Sequence, residues 1–405
     1  MTFEELYHVV LRAKAHDEKL FLPEGEFLAD QLNCLLHPDQ HSMLLQNHPC
    51  DCSDPTCVSA CIFDALEIKD GKAILNEAQC VGCQECIKAC KGENLSFSKD
   101  TILTLELLKS ESTQVYALVA PAIAGQYGSD ASLAKLRSAC KQIGFFGMVE
   151  VAAFADILTL KEALEFHAHM NSPHSFQLTS CCCPVWISLI RKDFQKIMSH
   201  LPASVSPMIA CGRIVKAIHP ECKTVFIGPC LAKKAEAKEP ELAGAIDCVL
   251  TFQELNDLFE VFQIDFSNIT EDVKEHSSTA GRLYARTGGV STAIGNCVKS
   301  ISPECFFKPV TANGVKNCKE LLEEILAGNE NGNFYEGMAC EGGCAGGPKR
   351  IIETPVCTKE VNEYASRAPF ATPAENPYVA ELMERLGFST VESFVASSDI
   401  LTRSL

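Results

Sequence analysis

No run of apolar residues in this 405-residue chain approaches the roughly 20 that a bilayer-spanning helix needs, and no charged-then-apolar leader opens it. Both absences point to the cytoplasm and away from a membrane partner. Low-complexity runs, obvious repeats and long linkers are missing as well, so the chain reads as two or three folded domains, each with its own core. Positive charge is the scarce sign: 35 Lys and Arg stand against 52 Asp and Glu, a net charge of -17. Such an excess argues against nucleic acid or an anionic membrane surface as partner. Docking on another acidic protein would need a local basic patch.

Cysteine is what the chain has in plenty. Its 23 cysteines, with no export signal, suit a reducing compartment where thiols serve metals or redox chemistry and not structural disulfides. The stretch Glu336-Gly-Met-Ala-Cys340-Glu-Gly-Gly-Cys344-Ala-Gly-Gly-Pro348 sets two thiols four apart among five glycines. Backbone without Cβ lets a bulky inorganic group come close, and successive N–H groups in such turns form concavities for anionic clusters. A disulfide or a zinc knuckle would use the same residues. Two stations upstream favour a cluster: Thr179-Ser-Cys-Cys-Cys-Pro184 and Gly228-Pro-Cys230-Leu-Ala-Lys233-Lys-Ala-Glu236.

Between residues 50 and 90 the cysteine density jumps. Cys80-x-x-Cys83-x-x-Cys86-x-x-x-Cys90 has the bacterial ferredoxin spacing, in which three thiolates hold one [4Fe-4S] cluster and the fourth reaches across to another. Zinc is a minor alternative. The partner motif is irregular: Cys50-x-Cys52-x-x-x-x-Cys57-x-x-x-Cys61, with Ile62 where ferredoxins usually carry proline. By the crossing rule, Cys61 completes the cluster of Cys80, Cys83 and Cys86, while Cys90 joins Cys50, Cys52 and Cys57. A C-x-C step is unusual for two ligands of one cluster, so one of Cys50 and Cys52 can be a bystander replaced by a nearby residue.

Three segments follow. Residues 1–45 read as helical, with Thr2 and Glu5 as a capping box and a helical apolar repeat from Gly25 to Leu36. Cys34 reads as a buried small hydrophobe. Residues 46–100 form a ferredoxin-like α+β unit, and residues 101–405 alternate strands with helices. Strands are expected at Val115 to Ala120, Met148 to Val151, Phe176 to Leu178, Lys223 to Ile227, Cys248 to Leu250, Cys305 to Val310 and Phe334 to Met338. Helices are expected at Ser132 to Ile143, Asp156 to His169, Phe252 to Phe262 and Asn376 to Leu386. The alternation argues for parallel α/β sheets, which collect ligands at strand carboxyl ends, where the three stations lie.

The three stations resemble, in order and separation, the signature motifs of the [FeFe]-hydrogenases. The family patterns T-S-C-C-P-x-W, M-P-C-x-x-K-x-x-E and E-x-M-x-C-x-x-G-C-x-x-G-G match Cys182 to Trp186, Pro229 to Glu236 and Glu336 to Gly347. Ala120-Pro121-Ala122 and Thr287-Gly288-Gly289-Val290 extend the likeness over about residues 115 to 350. The resemblance implies two α/β lobes with mixed or parallel sheets enclosing an H-cluster, plus the small iron-sulfur unit. It implies a [4Fe-4S] cube on Cys183, Cys230, Cys340 and Cys344, with Cys344 bridging to a diiron azadithiolate unit that carries CO and cyanide. Lys233 would donate to a cyanide, and Met338, Pro121 and Ala122 would pack around the diiron unit. Cys182, Glu162 and Glu165 match the family's proton relay, the two glutamates one turn apart on one helix face; solvated glutamates on an amphipathic helix are the plain reading. Lys234 reads as a surface lysine.

Departures touch the diiron pocket and the proton exit. Aligned from Pro184, the usual serine is Cys181 and the usual threonine Ser180. Gly228, Met208 and Ala285 stand where methionine, glutamine and glycine are expected, and Pro202 occupies the place of the relay serine. The first reading is a cytosolic hydrogenase that interconverts H2 with two protons and two electrons. Electrons would pass through two further [4Fe-4S] clusters to a carrier such as ferredoxin. A slow sensory hydrogenase with a signalling partner, or an iron-sulfur assembly protein without the diiron unit, are the other two, and Cys182 weighs against the last. A homodimer is compatible with the sequence. Cys140, Cys211, Cys222, Cys248, Cys297, Cys305, Cys318 and Cys357 show no ligand spacing and read as core or incidental.

Overall fold

The computed structural model describes residues 1–22, 29–48, 50, 52, 54–92, 94–172, 174–179, 182–391, 393–394 and 399–404. Val115–Val119 is buried at every position, and the other strands of one sheet assemble around it. The sheet is wholly parallel, in the order Gly147–Glu150, Val115–Val119, Lys223–Gly228, Cys248–Thr251. Near-continuous apolar strands of this kind need cover on both faces, and helices supply it. One such helix is Leu133–Gln142, capped by Ser132, and another is Phe252–Val261, opened by a Thr251/Glu254 capping box.

A second parallel sheet runs Pro309–Asn313, Phe334–Met338, Gln177–Leu178. The chain is therefore an α/β protein of two parallel sheets, as expected. The helix Ala152–His169 packs against the helices Gly289–Ile301 and Pro207–Ile218 and is buried on all sides from Ala152 to Ala163. It is a core helix and not the amphipathic surface helix of the plain reading. No helix among the described residues is long and apolar enough to cross a membrane.

Ahead of the sheets, Phe3–Ala15 starts at the Thr2/Glu5 capping box. Ala29–Leu36 is helical, whereas the expected start of that repeat, Gly25, lies outside the described residues. The strand Leu44–Gln46 pairs antiparallel with Leu95–Phe97, and Leu66–Lys69 with Lys72–Leu75. Pairing thus already begins within the 1–45 segment. Short helices Thr56–Ser59 and Glu85–Ala89 complete this small unit.

Two expectations need correction. The strand sought at Cys305 to Val310 starts only at Pro309. Phe306 is exposed, its carbonyl accepts from Asn333 Nδ2 at 2.7 Å, and the ring of Phe307 lies against Gly295, so side-chain contacts and not a ladder hold this part of the chain. Lys234 is not a surface lysine. It is 2% exposed, with Nζ 3.0 Å from Glu254 and 3.4 Å from Asp100.

Candidate iron-sulfur site

All three stations leave strand carboxyl ends. Cys230 follows Lys223–Gly228, Cys340 follows Phe334–Met338, and Cys183 caps the helix Pro184–Asp193 a few residues after Gln177–Leu178. Two close approaches lock the stations together. A Cβ on Gly337 would come within 2.0 Å of the Trp186 ring, and one on Gly347 within 2.7 Å of Pro229; only glycine lets the third station lie against the first and second. The Ala339 N–H donates to Cys183 Sγ at 3.4 Å. The Ala345 N–H donates to the Ala285 carbonyl at 2.7 Å, which holds the loop beside Cys344.

Cys183, Cys230, Cys340 and Cys344 share one buried neighbourhood. Burial pushes the Cys183 thiol up to about 12, with Cys182 and Cys230 adding to the rise. Cys340 is raised by burial and then by Cys230 and Cys183. Cys344 is raised well above the ordinary value by burial, then by Cys230, Cys182, Cys183 and Cys340. Cys230 is also raised by burial, against the opposing pull of Lys233. The four cysteines are half-buried, and thiols that disfavour one another's charge fit a cationic centre between them, because thiolate is the form that binds metal. Among the described residues no three His, Cys, Asp or Glu side chains converge on a single-ion site.

Lys233 is nearly buried, its Nζ 2.6 Å from Glu236 Oε2. Burial lowers its pKa, but Glu236 and then Cys230 and Cys344 outweigh this, so the ammonium is retained. Met338 is 2% exposed, and a Cβ on Gly343 would meet its Sδ at 2.7 Å. Pro121 and Ala122 follow the neighbouring strand, the Ala122 carbonyl accepting from Gln126 Nε2 at 3.0 Å. Gly228, Met208 and Ala285 are all buried.

Cys182 is 9% exposed. Glu162 is completely buried, and its backbone carbonyl accepts from Gln177 Nε2 at 3.4 Å. Glu165 accepts from Lys161 Nζ at 2.5 Å and opens onto a cavity of about 350 Å³ lined also by His169, His200 and Pro202. Cys181 and Ser180 lie outside the described residues.

In the small unit, the Cys86 thiol is pushed up to about 12 by burial, then by Cys83, Cys80 and Cys61. That grouping joins Cys61 to the three thiols of the regular motif. Cys57 is raised by burial, then by Cys90, with Cys50 also contributing. Gln46 and Asn94 donate to Cys50 Sγ at 3.0 and 3.3 Å, and Cys52 is exposed. Both groupings follow the crossing pattern. A cavity of about 510 Å³ touches Cys83, Cys230 and Cys340 together, so the Cys61–Cys80–Cys83–Cys86 group borders the four-thiol site.

Sequence reasoning gave Glu336 no role beyond its motif. It is fully buried and accepts from the N–H of Gly288 and of Ser291, each at 2.8 Å, and from the Ser291 hydroxyl. It thereby ties the third station to the helix Gly289–Ile301. Lys161 was missed altogether; its only signal was a charge inside the apolar run of a helix.

The fold and its grouped thiols are those of an α/β protein with residues suited to hold iron-sulfur centres. Residues 113–348 match the model of the iron only hydrogenase large subunit, C-terminal domain, and the chain belongs to that family. It is 27% identical over 376 residues to the NADP-reducing hydrogenase subunit HndD of Solidesulfovibrio fructosivorans, covering 77% of this chain and 63% of that one. The chain thus spans less than two thirds of that relative's length. It is 23% identical over 395 residues to the cytosolic iron-sulfur assembly component 3 of Rattus norvegicus, covering 78% and 81%. Its fold matches an [FeFe]-hydrogenase HydA1 from Chlamydomonas reinhardtii with a TM-score of 0.58 at 19% identity, over 73% of this chain and 97% of the other.

Proposed function

We propose that this protein is a hydrogenase that interconverts H2 with two protons and two electrons. The observation that carries the reading is the meeting of Cys183, Cys230, Cys340 and Cys344, from three strand ends, beside the buried ammonium of Lys233. Cys183, Cys230, Cys340 and Cys344 would hold a [4Fe-4S] cube, with Cys344 also bridging to a diiron unit. That assembly, when bound, supplies an iron open to hydrogen and the redox change. Lys233 offers a charged donor next to it and orients its outer ligands. Cys182 gives and takes a proton at its Sγ, since a thiol is both a weak donor and a weak acceptor. Glu162 and then Glu165 carry the proton toward the cavity by His169 and His200. The thiols of Cys61, Cys80, Cys83 and Cys86, and of Cys50 or Cys52 with Cys57 and Cys90, would hold two more clusters that pass electrons to an external carrier such as ferredoxin.

A slower, sensory hydrogenase is the second reading, favoured by Gly228, Met208 and Ala285 in the buried surroundings of the site. The similarity to an iron-sulfur assembly component supports a third, without the diiron unit, and Cys182 speaks against it. Infrared spectroscopy of the anaerobically matured protein separates them. Bands of iron-bound CO and cyanide are expected, and their absence leaves the assembly reading. Turnover assays then divide the first reading from the second.

A further inference from the structure

Residues 399–404 lie outside the region that matches the family model, yet they run as a strap over the loop after Pro202. Arg403 N–H donates to the Ala203 carbonyl and Val205 N–H to the Leu401 carbonyl, both at 3.0 Å, with an antiparallel bridge between Ser204 and Thr402. Leu401 is fully buried. The Arg213 guanidinium gathers the carbonyls of Asp399, Ile400 and Thr402 at 3.0, 3.2 and 2.7 Å.

Through this strap a buried arginine enters the site's surroundings. Arg403 pairs with Glu239, and with Glu241 at 3.0 Å. Its Nη1 stands 3.9 Å from Glu236 Oε1, where both side chains are sealed from solvent, at 1% and 0% exposure. The other oxygen of Glu236 holds Lys233 Nζ at 2.6 Å. Oε1 has no hydrogen-bond partner among the described residues, so charge alone links it to Arg403. Arg191 also pairs with Glu239 and Glu241. Three cations, Arg191, Arg403 and Lys233, thereby face three carboxylates, Glu236, Glu239 and Glu241.

We propose that Arg403 is a positioning residue for Lys233, acting through Glu236. A lysine ammonium has three N–H donors, and a buried carboxylate with no other cation near would draw it wholly to itself. Arg403 takes up part of that charge at Oε1. Lys233 is then held by one oxygen, with its remaining donors available on the side of Cys230 and Cys344. The proposal rests on the hydrogenase reading only for what those donors face.

Two measurements on the whole chain test it. Without cofactor, pulse acylation read by mass spectrometry is expected to label Lys233 more slowly in Arg403→Met than in wild type, and Arg403→Lys is expected to restore most of the labelling. Lys234, paired with Glu254 and Asp100, is the internal control and should not change. Unchanged or faster Lys233 labelling, or an equal change at both lysines, overturns the proposal. In protein carrying the diiron unit, Arg403→Met is expected to shift the cyanide bands while iron content stays the same; unshifted bands overturn it. If wild type itself shows no cyanide bands, the hydrogenase reading fails and the acylation result still decides the role of Arg403. Should Arg403→Met not fold, Arg403→Gln, which keeps a polar side chain but removes the charge, carries the same expectation.

Discussion

Gly82 packs on the backbone of Ala232: a Cβ there would come within 3.0 Å of Ala232 Cα and of the Leu231 carbonyl oxygen. This contact seats the Cys80–Cys86 loop on the residues that follow Cys230. Lys88 and Glu85, from the helix that carries Cys86, both act electrostatically on Cys340. The Cys80–Cys86 loop and the residues after Cys230 are therefore held together across a glycine-sized gap.

Gly82 also has φ +67, so Gly82→Val combines left-handed strain of about 1–3 kcal/mol with a backbone clash. The loop should lift from Ala232. Carrier-linked hydrogen turnover should fall, whereas isotope exchange between H2 and water, which needs no net electron flow, should be largely retained. Equal loss of both would mean that the contact serves folding and not electron transfer.

Lys161 is nearly buried and donates to Glu165 at 2.5 Å and to the Ser204 hydroxyl at 2.9 Å. Lys161→Met leaves Glu165 without its cation. Breaking a fully buried pair this way destabilises by about 3–5 kcal/mol. With 26% of the Glu165 side chain exposed, about 2 kcal/mol is the better expectation after solvent screening. Urea unfolding midpoints measure it, and Lys161→Arg should lose less. An unaltered midpoint in Lys161→Met would show that the pair contributes nothing.

The strands and the order of the cysteine stations were legible because both are local. Val115–Val119 and Val225 to Ile227 announce themselves by apolar runs, and Cys80 to Cys90 by spacing. What escaped depends on partners far along the chain. Lys234 reads as a surface lysine until Asp100 and Glu254 close over it, and Glu336 as a motif letter until Gly288 and Ser291 bond to it. The burial of the helix Ala152–His169 was hidden by its own composition, since Lys161, Glu162 and Glu165 suggest a wet face. Arg403 carries no sequence signal, because its carboxylates lie on another element.

Asp156 gives the fold a pH signature. Burial raises its pKa to about 6, against the lowering effect of hydrogen bonds from Ser278, Asn376 and Gly281. Because the folded value lies above the unfolded one, the folded state favours the protonated form. The associated stability is complete below about pH 4 and is lost as pH rises through 6. A shift of roughly two units corresponds to about 3 kcal/mol at most. The stability difference between wild type and Asp156→Asn, followed by urea unfolding of reduced cofactor-free protein, should therefore favour wild type more at pH 4 than at pH 7.5. A difference that is flat in pH would remove Asp156 as its source.

Cys182 adjoins Cys183 and raises both its pKa and that of Cys344, so its sulfur lies close to two of the four thiols. It belongs to none of the four positions assigned to the cube, and Cys182→Ala should keep the full iron content and the CO and cyanide bands. General acid–base groups contribute about 10²–10⁴-fold to rate, and turnover should fall within that range. Cys182→Ser, whose hydroxyl can still bridge by hydrogen bonding but gives up a proton far less readily, should recover little. Full activity in Cys182→Ala would mean that the proton leaves by another group, with Cys181 the nearest thiol in sequence. Lost infrared bands would instead mark Cys182 as a residue of cofactor assembly.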